Sequence, residues 1–209
     1  MKRGATLIVL AAALALAGDA QAATVRNAGF ERPDLRGWQQ FADPDAGCGS
    51  WATYGGAGLP GLPPPPQGKR AVAALAPGEC LGEALILSQA VRLKRGRRHE
   101  LSFRLAYSNS HDRFFVPRTF APEPAANQQV RVDVLKARAP LRSFNPAHIL
   151  KRVYLTRPGA PLQRGYHRVT AKLTRFAGKR VRLRFAVVAN RGPLAFGLDA
   201  VRVKSTRKR

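Results

Sequence analysis

The sequence predicts an all-β protein built as an antiparallel sandwich or barrel, with little or no helix. Two observations carry this. Around nine or ten stretches alternate apolar and polar residues with the period of two that places successive side chains on opposite faces of a strand, and turn residues separate them, drawn from 19 glycines and 16 prolines. No segment sustains the 3.6-residue apolar period of a capped helix.

The first 22 residues read as a cleaved signal peptide. Lys2 and Arg3 form a basic start, Ala5–Ala17 an apolar run, and Ala20-Gln21-Ala22 a small-residue cleavage motif. The mature chain then begins near Ala23 in the periplasm or outside the cell. No later stretch approaches the roughly 18 apolar residues of a membrane-spanning helix. A single domain over 23–204 is expected, followed by a basic disordered tail, 205–209. Cys48 and Cys80 are the two cysteines. An even pair in an exported chain points to a disulfide. Free thiols or metal ligands are the alternative, though no CxxC spacing supports them.

The elements follow in order. Asn27–Glu31 and Arg32-Pro33-Asp34 are turn-rich, and Trp38–Phe41 is a short strand with Trp38 in the core. The segment from Phe41 to Gln67 reads as a long irregular loop ending in Pro63-Pro64-Pro65-Pro66, which favours polyproline II and cannot enter a central sheet. Arg70–Leu75 is a strand. Leu85–Leu93 starts apolar on both faces, as a doubly covered strand does. A basic turn around Gly96 leads to the strand Leu101–Tyr107. Ser108–Asn127 is a second long loop, and Val130–Val134, Ile149–Leu155 and Tyr166–Leu173 are further strands. In Lys179–Val203 two strands meet at a Gly-Pro loop. In the first of them Val181, Leu183, Phe185 and Val187 alternate with Arg180, Arg182 and Arg184.

The formal charge is +24, with 36 Lys and Arg against 12 Asp and Glu. A field of that sign favours anionic partners such as acidic polysaccharide, phosphate, nucleic acid or lipid headgroups. Arginine outnumbers lysine 27 to 9, which a GC-rich coding sequence would also give. Catalytic motifs are missing: there is no GxSxG elbow, no HExxH and no P-loop. The four histidines are scattered, so the chain is expected not to be an enzyme.

Binding residues are sought in the two long loops, where aromatic rings can stack on sugars and arginines can grip carboxylates or phosphates. The candidates are Trp51, Tyr54, Arg113, Phe114 and Phe115. Trp51 and Tyr54 could instead fold inward to cover the sandwich, and Phe114 and Phe115 could plug their own loop. Arg180, Arg182 and Arg184 form a ladder that repels itself unless acids or an anionic ligand compensate; a solvated face is the alternative.

Several motifs in order resemble the galactose-binding-like jelly-roll superfamily that includes secreted carbohydrate-binding modules. They are Asn27-Ala28-Gly29-Phe30-Glu31 with Gly37-Trp38, Leu87-Ser88-Gln89-Ala90-Val91 with Gly96 and Leu101-Ser102-Phe103, and the closing Val181–Phe185 and Leu198–Val203. The resemblance spans Asn27 to Val203. It implies a two-sheet jelly-roll sandwich and a structural calcium held by Glu31 and Asp199, carboxylate chemistry that suits this cation; Asp199 paired with a neighbouring arginine is the alternative. It also implies an exported, non-catalytic module for polysaccharide, acidic ones included. Two other readings stay open: an electrostatic binder of envelope or extracellular polyanions such as lipopolysaccharide or nucleic acid, and an assembly or adhesion component with a protein partner.

Overall fold

The computed structural model describes residues 25–42, 49–78, 84–121 and 125–207. The signal segment, Cys48 and Cys80 lie outside the described residues. Ten strands are described: β1 (Gln39–Phe41), β2 (Trp51–Gly55), β3 (Arg70–Ala76), β4 (Leu85–Arg92), β5 (Arg97–Asn109), β6 (Gln128–Lys136), β7 (Ile149–Leu155), β8 (Gln163–Lys172), β9 (Arg180–Ala189) and β10 (Leu194–Arg207). They form two five-stranded antiparallel sheets, a back sheet ordered β1-β4-β9-β6-β7 and a front sheet ordered β2-β3-β10-β5-β8. From β3 to β6, and again from β7 to β10, the chain changes sheet at every step. Among the described residues the helical content is one 3-10 turn, Thr174–Phe176, and no helix is long and apolar enough to cross a membrane.

The alternation read from the sequence sets the core. Leu101, Phe103, Leu105 and Tyr107 of β5 meet Val181, Leu183, Phe185 and Val187 of β9 between the sheets, all buried. Phe30 packs on Trp38 with ring centroids 5.3 Å apart, Trp38 on Phe185 at 5.9 Å, and Phe185 edge-on to Phe103 at 5.3 Å. Burying each such ring contributes about 1.5–3 kcal/mol. Trp38 is therefore a core residue, as expected.

Each sheet also carries apolar residues on its outer face, covered by a loop. Over the front sheet, the segment 56–67 lays Leu59 and Leu62 on Tyr54, Ala71, Ala73, Ala106 and Ala195. Over the back sheet, Phe120, Leu141 and Phe144 cover Ile86, Ala186 and Val188. This second cover is why Leu85, Ile86 and Leu87 are all buried.

Two boundaries differ from the expectations. Trp51–Gly55 is a strand rather than loop, paired with β3. The expected disordered tail is strand as far as Arg207: Ser205, Thr206 and Arg207 pair with His99, Arg98 and Arg97. The buried Ser205 hydroxyl also meets His99 Nδ1 at 2.8 Å. Here the ladder offered by β5 overrides a polar, basic composition.

Candidate functional site: a basic cleft on the front sheet

Because Leu101, Phe103 and Leu105 point inward, Ser102 and Arg104 of β5 point outward. On β10 simple alternation would place Asp199 and Arg202 on opposite faces. The register instead shifts between these two residues, with Ala200 at φ +55°. This bulge inserts one residue, so Val201 and Val203 enter the core while Arg202 and Lys204 turn outward. The result is a cleft of about 610 Å³ whose lining includes Gln67, Ser102, Arg104, Arg168, Arg202 and Lys204. Arg104 lies directly opposite Asp199 on one side and Arg168 on the other. Arg104 and Arg168 are both exposed, and like charges directly across a ladder repel.

Asp199 is fully buried beside this cleft. Its Oδ1 accepts a short hydrogen bond from the Ala200 N–H, whereas its Oδ2 has no hydrogen-bond partner. Burial first, and then the charge of Glu31, push its carboxyl up to about 6, with the amides of Ala200 and Gln67 and the Arg104 charge acting the other way. Glu31 is held from the other side: its Oε2 accepts the Lys69 N–H at 3.0 Å. Gly68, at φ +63°, leaves room for that carboxylate, since a Cβ there would fall on Glu31 Oε1. A bare carboxylate oxygen with a second carboxylate near it is a donor set that fits calcium. Among the described residues no group of three or more His, Cys, Asp or Glu side chains could hold a metal.

The segment 56–67 bounds the site. Tyr54 donates to the Pro63 carbonyl at 3.1 Å and shares a 2.6 Å hydrogen bond with Tyr166 Oη. Burial raises the pKa of both phenols. Gly197 admits this arrangement, since a Cβ there would meet Tyr166 Oη at 2.7 Å.

The ligand-binding candidates singled out in the sequence land elsewhere, and four need correction. Trp51 is 3% exposed and packs edge-on to Phe196 at 5.4 Å in the core. Phe114 is 1% exposed against Tyr107. Tyr54 lies under the covering segment, and Arg184 has no exposed surface. None of these four offers a ring face or a guanidinium to a ligand. Arg184 donates to Asp133 Oδ2 through Nη2 at 2.6 Å and to the carbonyls of Leu141 and Ser143 through Nη1. Arg131 shares the same carboxylate through Nε at 2.6 Å, and Phe120 and Phe144 cover both guanidiniums. Two of the three ladder arginines thus anchor the back-sheet cover, with Arg182 bound to the Ala139 carbonyl at 3.1 Å. Arg180 is exposed. Arg113 is exposed and paired with Asp112 at 2.9 Å, and the half-buried Phe115 packs on His111.

The cleft residues Arg104, Arg168, Arg202 and Lys204 were not singled out. Arg104 and Arg168 could have been found, because each alternates with core residues of its strand. Arg202 could not, because the bulge reverses its face.

No family model and no curated protein matches the chain. Solved structures do. A Stig cyclase, FisC, from Fischerella sp. TAU in complex with (3Z)-3-(1-methyl-2-pyrrolidinylidene)-3H-indole aligns at TM-score 0.55 and 14% identity, over 90% of this chain and 98% of that one. An apo-form cyclase from Fischerella sp. aligns at 0.54 and 16%, over 90% and 97%. The module TmCBM61 in complex with beta-1,4-galactotriose aligns at 0.49 and 14%, over 90% and 99%. At these identities the likeness shows the fold alone, the two-sheet antiparallel jelly roll. The expectation that the chain is not an enzyme is corrected. Crystallised cyclases share its fold along almost its whole length, so the lack of hydrolase and nucleotide motifs does not exclude catalysis.

Proposed function

We propose that the protein is an exported glycan-binding protein whose front-sheet cleft takes an anionic saccharide, one bearing carboxylate or sulfate groups. The carrying observation is the cleft itself, in which Arg104 and Arg168 face each other across neighbouring strands with Arg202 and Lys204 beside them. A guanidinium binds a carboxylate with two parallel hydrogen bonds, and an anion between Arg104 and Arg168 relieves their repulsion. Ser102 and Gln67 add neutral groups that suit sugar hydroxyls. Export follows from the basic, apolar and small-residue pattern of the first 22 residues.

A structural calcium belongs to the same proposal. Glu31 and Asp199 would hold it at the edge of the cleft, and it would tie the chain following Phe30 to β10, where Val201 already donates to the Ala28 carbonyl at 2.9 Å.

The test is a panel of neutral, uronate-containing and sulfated glycans run at low and at physiological salt. The reading expects retention of particular acidic members at both. Retention of no glycan even at low salt would sink it. Binding indifferent to sugar identity and lost with salt would replace the cleft with simple charge attraction.

A further inference from the structure

The end of the sandwich where β4 turns into β5 carries a second basic surface, separate from the cleft except where Lys204 and Glu100 adjoin it. The back sheet contributes Arg92 and Arg180, directly opposite each other. The front sheet contributes Arg97 and Arg207, also directly opposite each other. Arg98 follows Arg97 within β5, and between the sheets lies the turn carrying Arg95. It is locked to the segment after the 3-10 turn, with Gly178 donating to the Leu93 carbonyl at 2.8 Å and Leu93 to the Lys179 carbonyl at 2.9 Å. Below the turn, the buried His99 ring meets the Lys94 carbonyl at 2.8 Å. The basic groups therefore stand on a rigid base rather than on a loose loop.

The ion pairs seen among the described residues lie elsewhere, at Asp34, Asp112 and Asp133. Two arginine pairs facing each other across ladders repel, and among the described residues Glu100 is the acid of this end. The two sheets stand about 10 Å apart, so the cations spread in two directions over a face instead of lining a groove. The aromatic ring described here, Phe176, is buried beneath Arg175. The large hydrophobic residues exposed among the described residues, Leu75 and Leu162, belong to the opposite end, near Ala195 and Asn109. Among the described residues, the basic end exposes no large apolar side chain to stack on bases or insert into acyl chains.

We infer that this end is a docking surface for the plane of phosphate headgroups of an anionic lipid bilayer, held by charge alone. Arg180, which the sequence marks as the first step of the arginine ladder, is part of it.

The experiment is co-sedimentation of the full mature chain with vesicles of one-third phosphatidylglycerol in phosphatidylcholine, and with pure phosphatidylcholine. It is run at about 0.01 M and about 0.15 M salt, between which the screening length falls from about 30 to about 8 Å. Binding is expected to the anionic vesicles alone, and to weaken strongly at the higher salt. The variant Arg95→Glu/Arg98→Glu/Lys179→Glu should bind at least ~10-fold more weakly, since each basic group near such a surface adds several-fold. Arg104→Ala/Arg168→Ala should bind the vesicles as wild type does, even though it loses glycan, so the two sites fail or survive independently. Should the triple variant unfold, Arg95→Glu/Arg180→Glu replaces it. The inference is overturned if the charge reversals leave vesicle binding intact, if the cleft variant abolishes it, or if wild type ignores the vesicles and binds a duplex oligonucleotide at the same salt.

Discussion

Asp133 and Arg184 stand directly opposite each other on β6 and β9, joined at 2.6 Å with neither side chain exposed. Arg131 completes the group from the same strand as Asp133. Removing the carboxylate leaves two buried guanidiniums without a counter-charge. Asp133→Ala should cost about 3–5 kcal/mol, measured by urea unfolding. Asp133→Leu/Arg184→Met should cost less than Asp133→Ala alone, because it removes a charge together with its partner. Equal losses would mean the pair is not coupled.

The carboxyl of Asp199 gives a pH dependence with a definite sign. Its pKa rises from 3.8 to about 6 on folding, so the folded state holds its proton more tightly than the unfolded one. In the presence of a calcium chelator this contribution is complete below the lower value and is lost as pH rises through the upper one. Asp199→Asn should then be more stable than wild type at neutral pH, by about 3 kcal/mol.

Calcium should reverse that ranking. A cation that binds only the folded state raises Tm with its concentration, and the rise should appear in wild type and vanish in Asp199→Asn and Glu31→Gln. A calorimetric Tm indifferent to calcium would remove the Glu31–Asp199 site from the proposal.

In the cleft, Arg104→Ala/Arg168→Ala should weaken binding of the retained acidic glycan by about tenfold or more, equivalent to about 1.4 kcal/mol. Stability should hold or rise by a few tenths of a kcal/mol, since a facing pair of like charges is removed. Isothermal titration and thermal unfolding of the same preparation separate the two effects.

Tyr54→Phe deletes the hydroxyl that bridges the Pro63 carbonyl and Tyr166. The expected loss is about 1–2 kcal/mol, accompanied by faster amide exchange at Leu59 and Leu62, whose backbones bond each other in the covering segment.

The sheets were legible in the sequence because their inward residues keep strict alternation, as in Leu101–Tyr107 and Val181–Val187. The doubly covered start of β4 was legible for the same reason. Individual roles were harder to read. Alternation names two faces but does not say which loop covers the outer one, so Arg184 read as solvent-facing when Leu141, Ser143 and Phe144 in fact enclose it. Trp51 sat among glycines and read as loop, because the strand that pairs with it begins 19 residues later. The bulge at Ala200 carries no turn residue to announce it, so the outward turn of Arg202 and Lys204, and with it half the cleft, had no signal in the pattern.

β10 lies at the centre of the front sheet, bonded to β3 on one side and to β5 on the other, and it begins 118 residues after β3 ends and 85 after β5 ends. β3 and β5 become neighbours only through it. The front sheet therefore cannot assemble stepwise as the chain emerges; it closes in one late event that brings distant segments together. Such pairings carry a large loop-closure cost before any contact repays it, which places folding in the millisecond-to-second range typical of sandwiches. Until β10 docks, β3 and β5 both present open edges, so the unfinished chain is most exposed to aggregation at the step that builds the cleft.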